Sequence, residues 1–508
     1  MDVLDGGIAD MRRALEAGEV LARELAEGYL TRVDGIDRSG PSLNAVIELN
    51  PDALELADAS DRRLAEGRAR GPLEGVPVLL KDNIDTGDRM STTAGSLALA
   101  GHRAAADAGL VQRLRAAGAV VLGKTNLSEW AFFRSTRGCS GWSSRGGQTR
   151  NPYALDRTPS GSSSGSAVAA AAGLCAAAVG TETDGSIVSP ASANGVVGIK
   201  PTVGLVSRSG IIPVAASQDT AGPLARRVAD AALLLSVMAG PDPLDPATAG
   251  APGGAGADFT RHLDAGALRG ARLGVARDCF GRHEGADAVA EGAIAVLREL
   301  GAEVVDGVAV GYEGVRRAPE RELLVIEIKR GVDAYLAAHP GAGMGSLADV
   351  VAFNRAHRET VMPFFRQELL ERAVAEGDVD DETHARVRAA CRRAGREAVE
   401  GALARHGLDA LVAPSLVPAW VTDLIDGDRK LGGCAAPAAM AGTPHVSVPA
   451  GYVHGLPVGL SLFAEAHSEG RLIGYAYAFE QAARVWRPPA FREHAEADAA
   501  GHAPGAGR

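Results

Sequence analysis

The sequence predicts an α/β fold in which a buried sheet is covered on both faces by helices. Three observations lead there. Short apolar strands, Gly75-Val76-Pro77-Val78-Leu79-Leu80 and Ala119-Val120-Val121-Leu122-Gly123, alternate with stretches of helical apolar spacing. Residues 167–178 are apolar all round, as expected of a helix enclosed by a core. A chain of 508 residues, 46% of them hydrophobic, is long enough for a large core. Aromatics make up only 4%, so that core is expected to pack through Ala and Gly.

Taken in order, residues 8–33 and 53–69 carry apolar positions at helical spacing (Leu15, Val20, Leu21, Leu25, Tyr29, then Leu54, Leu56, Leu64) and predict amphipathic surface helices. The first strand ends at Lys81-Asp82, and the second follows a helical stretch at 107–117. Residues 158–166 form a Ser/Gly loop that leads directly into the apolar helix, and 180–186 form a second polar, glycine-containing turn. Ile199 to Gly210 and Gln218 to Pro223 read as irregular. Residues 241–258 read as an exposed connection, 260–405 as mostly helical and charged, Val446 to Leu462 as strand-rich, and 469–484 as a helix. With no internal repeat, we expect a single domain over 1–489. It comprises N-terminal helices (1–70), a core (71–240), a peripheral helical region (241–420) and C-terminal strands with a helix (421–489). A disordered tail is expected at 490–508.

Acidic residues (63) outnumber basic ones (52), and no dense Lys/Arg cluster occurs, which argues against a nucleic-acid partner. The acidic start, Met1-Asp2-Val3-Leu4-Asp5, lacks an export pattern, and no apolar run is long enough to span a bilayer. A soluble, cytoplasmic protein is expected. Its five cysteines have no CxxC spacing and are expected to be reduced. His102, His283, His357 and His445 show no HxxxH or HExxH spacing, so no metal site is indicated. Asp82 and Asp85 read as solvated loop carboxylates.

Three positions carry chemistry: Lys81 at a strand end, Ser162 in the Ser/Gly loop, and Ser186 in the second turn. A serine hydroxyl needs a base within hydrogen-bond reach. Lysine can be that base when burial depresses its pKa, and Lys81 follows an apolar strand. A second serine can relay the proton. The backbone N–H groups of Thr183, Asp184 and Gly185, just before Ser186, are placed to form an oxyanion hole. A phosphate cradle is excluded because Ser160 to Ser166 lacks the GK[ST] ending of a P-loop.

In order along the chain stand Lys81, Thr158-Pro159-Ser160-Gly161-Ser162-Ser163-Ser164-Gly165-Ser166, Gly180-Thr181-Glu182-Thr183-Asp184-Gly185-Ser186, and Val196-Val197-Gly198-Ile199-Lys200-Pro201-Thr202. Together these segments resemble the amidase signature family, densest over 72–225. The resemblance implies a large, twisted, mixed sheet sandwiched by helices. It also implies a Ser–cis-Ser–Lys triad of Ser186, Ser162 and Lys81, an oxyanion turn at Thr183, Asp184 and Gly185, and Ser163 as a supporting partner of the lysine. No cofactor or metal is implied. The sequence departs from the general pattern at Ser160, Ser164 and Asp184, where glycine is usual, and at Glu182, where aspartate is usual.

Those departures, with residues 141–152, Phe364-Phe365-Arg366-Gln367-Glu368-Leu369 and Ala413-Pro414, resemble the bacterial peptide amidases. That branch implies release of ammonia from the C-terminal carboxamide of peptides, with no nucleic acid, membrane or obligate partner subunit. Three alternatives stand beside it: a small-molecule amidase of the same family, a protein like the glutamine-hydrolysing subunit of an amidotransferase, and a catalytically silent relative.

Overall fold

The computed structural model describes residues 6–250, 256–429 and 431–495. Its strands in chain order are β1 (Val46–Leu49), β2 (Pro77–Lys81), β3 (Val120–Thr125), β4 (Trp142–Ser143), β5 (Gly147–Gln148), β6 (Ala177–Glu182), β7 (Val197–Lys200), β8 (Thr220–Ala225), β9 (Arg272–Ala276), β10 (Glu303–Val308), β11 (Ala410–Pro414), β12 (His445–Val453) and β13 (Leu456–Phe463). Apart from the short β4–β5 hairpin they form one 11-stranded sheet in the order β1-β3-β2-β6-β8-β7-β12-β13-β11-β9-β10. The sheet is mixed: β2 runs parallel to β3 and β6, and β9 runs parallel to β10 and β11. The β6–β8, β7–β8 and β12–β13 pairs are antiparallel. Every residue of β2, β3, β6, β7, β8, β11 and β13 is buried, so helices cover both faces, as the apolar strands predict. The edge strand β10 is largely exposed and carries Glu303 and Asp306, charges that discourage edge-to-edge pairing.

Several expectations need correction. The stretch 8–33 is two helices, Ile8–Glu16 and Ala22–Arg32, separated where Gly18 takes a left-handed φ of 68°. The apolar segment 167–178 is not one helix. Its helix spans Ser164–Ala171, Gly173 turns the chain at φ 64°, and the chain continues into β6. An all-apolar run has no periodicity that separates a buried helix from a buried strand. For the same reason Gly180 to Glu182 belong to β6 rather than to a turn, and the stretches read as irregular overlap β7 at Ile199 and Lys200 and β8 from Thr220 to Pro223.

The region expected to be peripheral and helical, 241–420, also contributes β9, β10 and β11 to the central sheet. Its helix Glu320–Ala338 buries Leu323, Val325, Ile326, Ile328 and Val332 and so packs into the core despite its charges. Residues 241–258 are not simply an exposed connection either: Asp245 and Thr248 are buried, while 251–255 lie outside the described residues. Within the expected tail, Phe491 N–H donates to Pro152 O at 3.0 Å and Ala495 is buried, while 496–508 lie outside the described residues.

Asp82 and Asp85 are not solvated; both are buried. Asp82 accepts from Thr93 Oγ1 and Gly95 N–H and pairs with Arg145 at 3.3 Å. Asp85 accepts from Tyr335 Oη at 2.7 Å and lies 3.4 Å from His339 Nε2. The histidines noted in the sequence take local structural places. His102 lies 3.2 Å from Tyr335 Oη, His283 Nδ1 caps a helix by accepting from Gly285 N–H, and His357 stacks on Phe353. His445 is a core imidazole that burial pushes down to about 3.

Candidate active site

Lys81 and Thr181 stand near the carboxyl ends of two adjacent parallel strands, β2 and β6, with Leu80 paired to Val179. Sites in α/β sheets form beyond such strand ends. The helix Ser164–Ala171 returns the chain between them and sets the Ser/Gly loop against Lys81. That return demands a close backbone approach at Gly165, where a Cβ would fall 2.3 Å from Ala45 O and 2.5 Å from Asn126 O.

The structure brings together Lys81, Ser162 and Ser163. Lys81 Nζ lies 2.8 Å from Ser162 Oγ, 3.0 Å from Ser163 Oγ, 2.9 Å from Thr181 Oγ1 and 3.2 Å from Thr181 O. The Lys81 side chain is fully buried. Desolvation pushes its pKa down from 10.5 to about 7, opposed by the charges of Asp219 and Glu182. An amine in that range has a substantial neutral fraction near neutrality and can accept a proton.

The Gly161–Ser162 peptide bond is cis, and Ser160 adopts φ 56°. Ser164 Oγ donates to Ser160 O at 2.6 Å, so a side chain that departs from the general pattern closes the loop on itself. Asn194 Nδ2 holds Pro159 O at 2.8 Å.

Ser186 is joined to this loop through Ser163 N–H, which donates to Ser186 O at 3.1 Å. The turn before it needs a left-handed residue, supplied by Gly185 at φ 78°. Glu182, another departure, accepts the N–H groups of Ile187 and Val188 on one oxygen, at 2.6 and 3.0 Å. Its carboxylate thus fixes the backbone immediately after Ser186.

Ser186, Thr183, Asp184, Gly185 and Gly161 line a cavity of ≈ 560 Å³. Phe132, Leu324 and Trp420 also line it, with Glu320, Arg321 and Asp428. Lys81 and Ser162 sit behind the wall, shielded from solvent. A buried serine that lines the cavity, with a buried amine behind the wall, suits acyl transfer.

The family model described as Amidase matches residues 24–473. The chain belongs to the amidase signature family. As a member it is a hydrolase of amides. It is 41% identical over 502 residues to an Arabidopsis thaliana protein named "Probable amidase", spanning 96% of this chain and 92% of the relative. It is 38% identical over 489 residues to a glutamyl-tRNA(Gln) amidotransferase subunit of Symbiobacterium thermophilum, spanning 93% and 96%. The native peptide amidase of Stenotrophomonas maltophilia superposes with a TM-score of 0.91 at 51% identity, covering 96% of this chain and 99% of that one. A peptide amidase bound to the competitive inhibitor chymostatin superposes with a TM-score of 0.93 at 52% identity, with the same coverage.

Sequence reasoning missed Thr181, which contacts Lys81 Nζ through both oxygens, and Asn83, whose Nδ2 donates to Thr181 Oγ1 at 3.0 Å. It also passed over Gln218 and Asp219, which lie beneath Thr183. The available signal was a run of polar residues, Gln218-Asp219-Thr220, leading into the apolar Ala221-Gly222-Pro223.

There is little room next to the lysine. A Cβ at Gly180 would lie 2.7 Å from Ser163 Oγ and 2.8 Å from Ser163 Cβ. Gly180→Ala is therefore expected to displace Ser163 from Lys81 and to lower kcat about tenfold or more, since sub-ångström misplacement is costly at a reacting centre. Steady-state kinetics beside a melting curve checks it: a kcat equal to wild type would mean that Ser163 does not hold the lysine.

Proposed function

We propose that the protein releases ammonia from the C-terminal carboxamide of peptides through an acyl-enzyme on Ser186, with Lys81 as base and Ser162 as relay. The observation that carries this reading is the hydrogen-bond arrangement around Lys81. Ser163 Oγ lies 2.9 Å from Thr181 O and accepts Thr181 N–H at 3.1 Å, so its single hydrogen goes to that carbonyl and it faces Lys81 as an acceptor. A neutral amine has two N–H donors and one lone pair. The donors are used on Ser163 Oγ and Thr181, and the lone pair is left for the Ser162 hydroxyl.

In the cycle that follows, Ser162 passes its proton to Lys81 and takes one from Ser186, which attacks the amide carbonyl. The N–H groups of Thr183, Asp184 and Gly185 receive the oxyanion. Ammonia departs carrying the proton returned along the same relay, and water then resolves the ester.

Peptide carboxamides are favoured as substrates by the likeness to peptide amidases at 51–52% identity over nearly whole chains. The mixed apolar and polar cavity is large enough for a short peptide on the acyl side. A primary amide asks for little room on the leaving-group side, whereas a continuing chain would overpack it. Incubating C-terminally amidated di- and tripeptides with the enzyme is expected to release ammonia and give the free acid, with internal bonds intact by mass. Internal fragments would exclude the reading. Hydrolysis of glutamine by the isolated chain would favour the second reading, a component of an amidotransferase, which rests on relatives at 36–38% identity. Turnover of aryl amides alone would favour a small-molecule amidase.

A further inference from the structure

The loop before β8 grips the proposed oxyanion turn from below. Thr183 Oγ1 donates to Asp219 Oδ1 at 2.5 Å, and Gln218 Nε2 donates to Thr183 O at 3.3 Å. Asp219 is itself anchored, its Oδ2 accepting the N–H groups of Val214 and Ala215 at 2.8 and 2.9 Å. The same Gln218 amide donates to Glu320 Oε1 at 2.9 Å, at the start of the helix whose Glu320, Arg321 and Leu324 line the cavity. Strand pairing fixes the approach, since Glu182 pairs with Thr220. A partly buried carboxylate with three directed donors, one of them a residue of the oxyanion turn, does more than fill space.

We propose that Asp219 is a positioning residue of the amide-hydrolysing site: through Thr183 it aims the Thr183–Gly185 amides at the cavity, and its negative charge acts on Lys81. The proposal rests on the reading of Lys81 as base and Ser186 as nucleophile. Asp219 and Glu182 are the charges that draw Lys81 back toward its charged form. Asp219 is flanked by Arg208, and Glu182 by Lys200, which also faces Glu469 and Asp184. On the adjoining helix, Glu320 bonds Gln218 and Glu327 bonds Ser217. Burial pushes the Asp219 carboxyl up to about 6, so near neutrality its charge is present.

The two roles separate experimentally. Thr183→Val removes the hydroxyl but keeps the Asp219 charge. Asp219→Asn removes the charge but keeps a side chain able to bond Thr183 and the two backbone amides. Thr183→Val is expected to lower kcat about tenfold or more with KM within about threefold, the mark of an interaction made in the transition state. Thr183→Ser should recover most of that loss. Asp219→Asn should also lower kcat and should move the acid limb of kcat/KM to lower pH, whereas Thr183→Val should leave the limb in place. A merely structural residue would not move the limb. A smaller kcat loss in Thr183→Val, no recovery in Thr183→Ser, or an unmoved limb in Asp219→Asn overturns the proposal. If Asp219→Asn fails to fold, the two Thr183 variants decide. Serine-reactive fluorophosphonate labelling of the wild type, and its loss in Ser186→Ala, tests the underlying reading separately. If labelling behaves as expected and the Thr183 variants do not, only the role of Asp219 falls.

Discussion

Ser186→Ala is expected to abolish amide turnover, with a loss on the order of 10⁴-fold or more, because it removes the hydroxyl proposed to form the acyl-enzyme. Ser186 lines the cavity on a turn fixed from two sides, by Glu182 on the amides that follow it and by Ser163 on its own carbonyl. Those backbone contacts survive the substitution, so the melting temperature should change little. Ser162→Ala removes the proposed relay, the hydroxyl 2.8 Å from Lys81 Nζ, and should slow acylation by roughly 10²–10⁴-fold. Residues that act as a unit are not additive, so the double variant should be no slower than Ser186→Ala alone. Ammonia release and fluorophosphonate labelling measure all three proteins. Near wild-type turnover by Ser186→Ala would refute the assignment of the nucleophile.

The parts of the site legible in the sequence were those written as local motifs. Lys81 ends an apolar strand, and Ser162 and Ser186 lie in glycine-containing segments on either side of an apolar run. The structure lines one cavity with Ser160, Gly161 and Thr183 to Ser186, and buries Lys81 against Ser162 behind it. What could not be read depended on long-range pairing. Asp219 meets Thr183 only because β8 pairs antiparallel to β6, and nothing local marks that partner. Asp82 and Asp85 were misread because a carboxylate after a strand is usually solvated. Here Arg145 and Tyr335, distant in sequence, bury them.

The fold divides the same way. Alternating strands and helices disclosed the first half of the sheet, around β2 and β3. The run 167–178 hid the helix-to-strand break because Ala and Val suit either when fully enclosed. The strands β9 and β10 were lost among charged helices because they close one end of the sheet. There the edge strand β10 can afford Glu303 and Asp306, so its apolar signal is diluted.

The same buried amine predicts how the enzyme responds to pH. Burial holds Lys81 down at about 7, far below 10.5, so the protonated form dominates in acid and the neutral form above neutrality. Only the neutral form has a lone pair for the Ser162 hydroxyl, so activity should rise with pH and not fall. Below the lysine's pKa, kcat/KM should climb about tenfold per pH unit, bend near 7 and level off about one unit above it. Lys81→Arg keeps a positive charge but cannot lose it in this range, and it should be inactive at every pH tested. Lys81→Ala should retain at most a residual rate and lose the bend near 7, since the group that titrates there is gone. A wild-type profile flat from pH 5 to 8, or a bend near 7 surviving in Lys81→Ala, would show that the lysine is not the base. Measuring kcat/KM against pH for the wild type and both variants on one amidated dipeptide decides it.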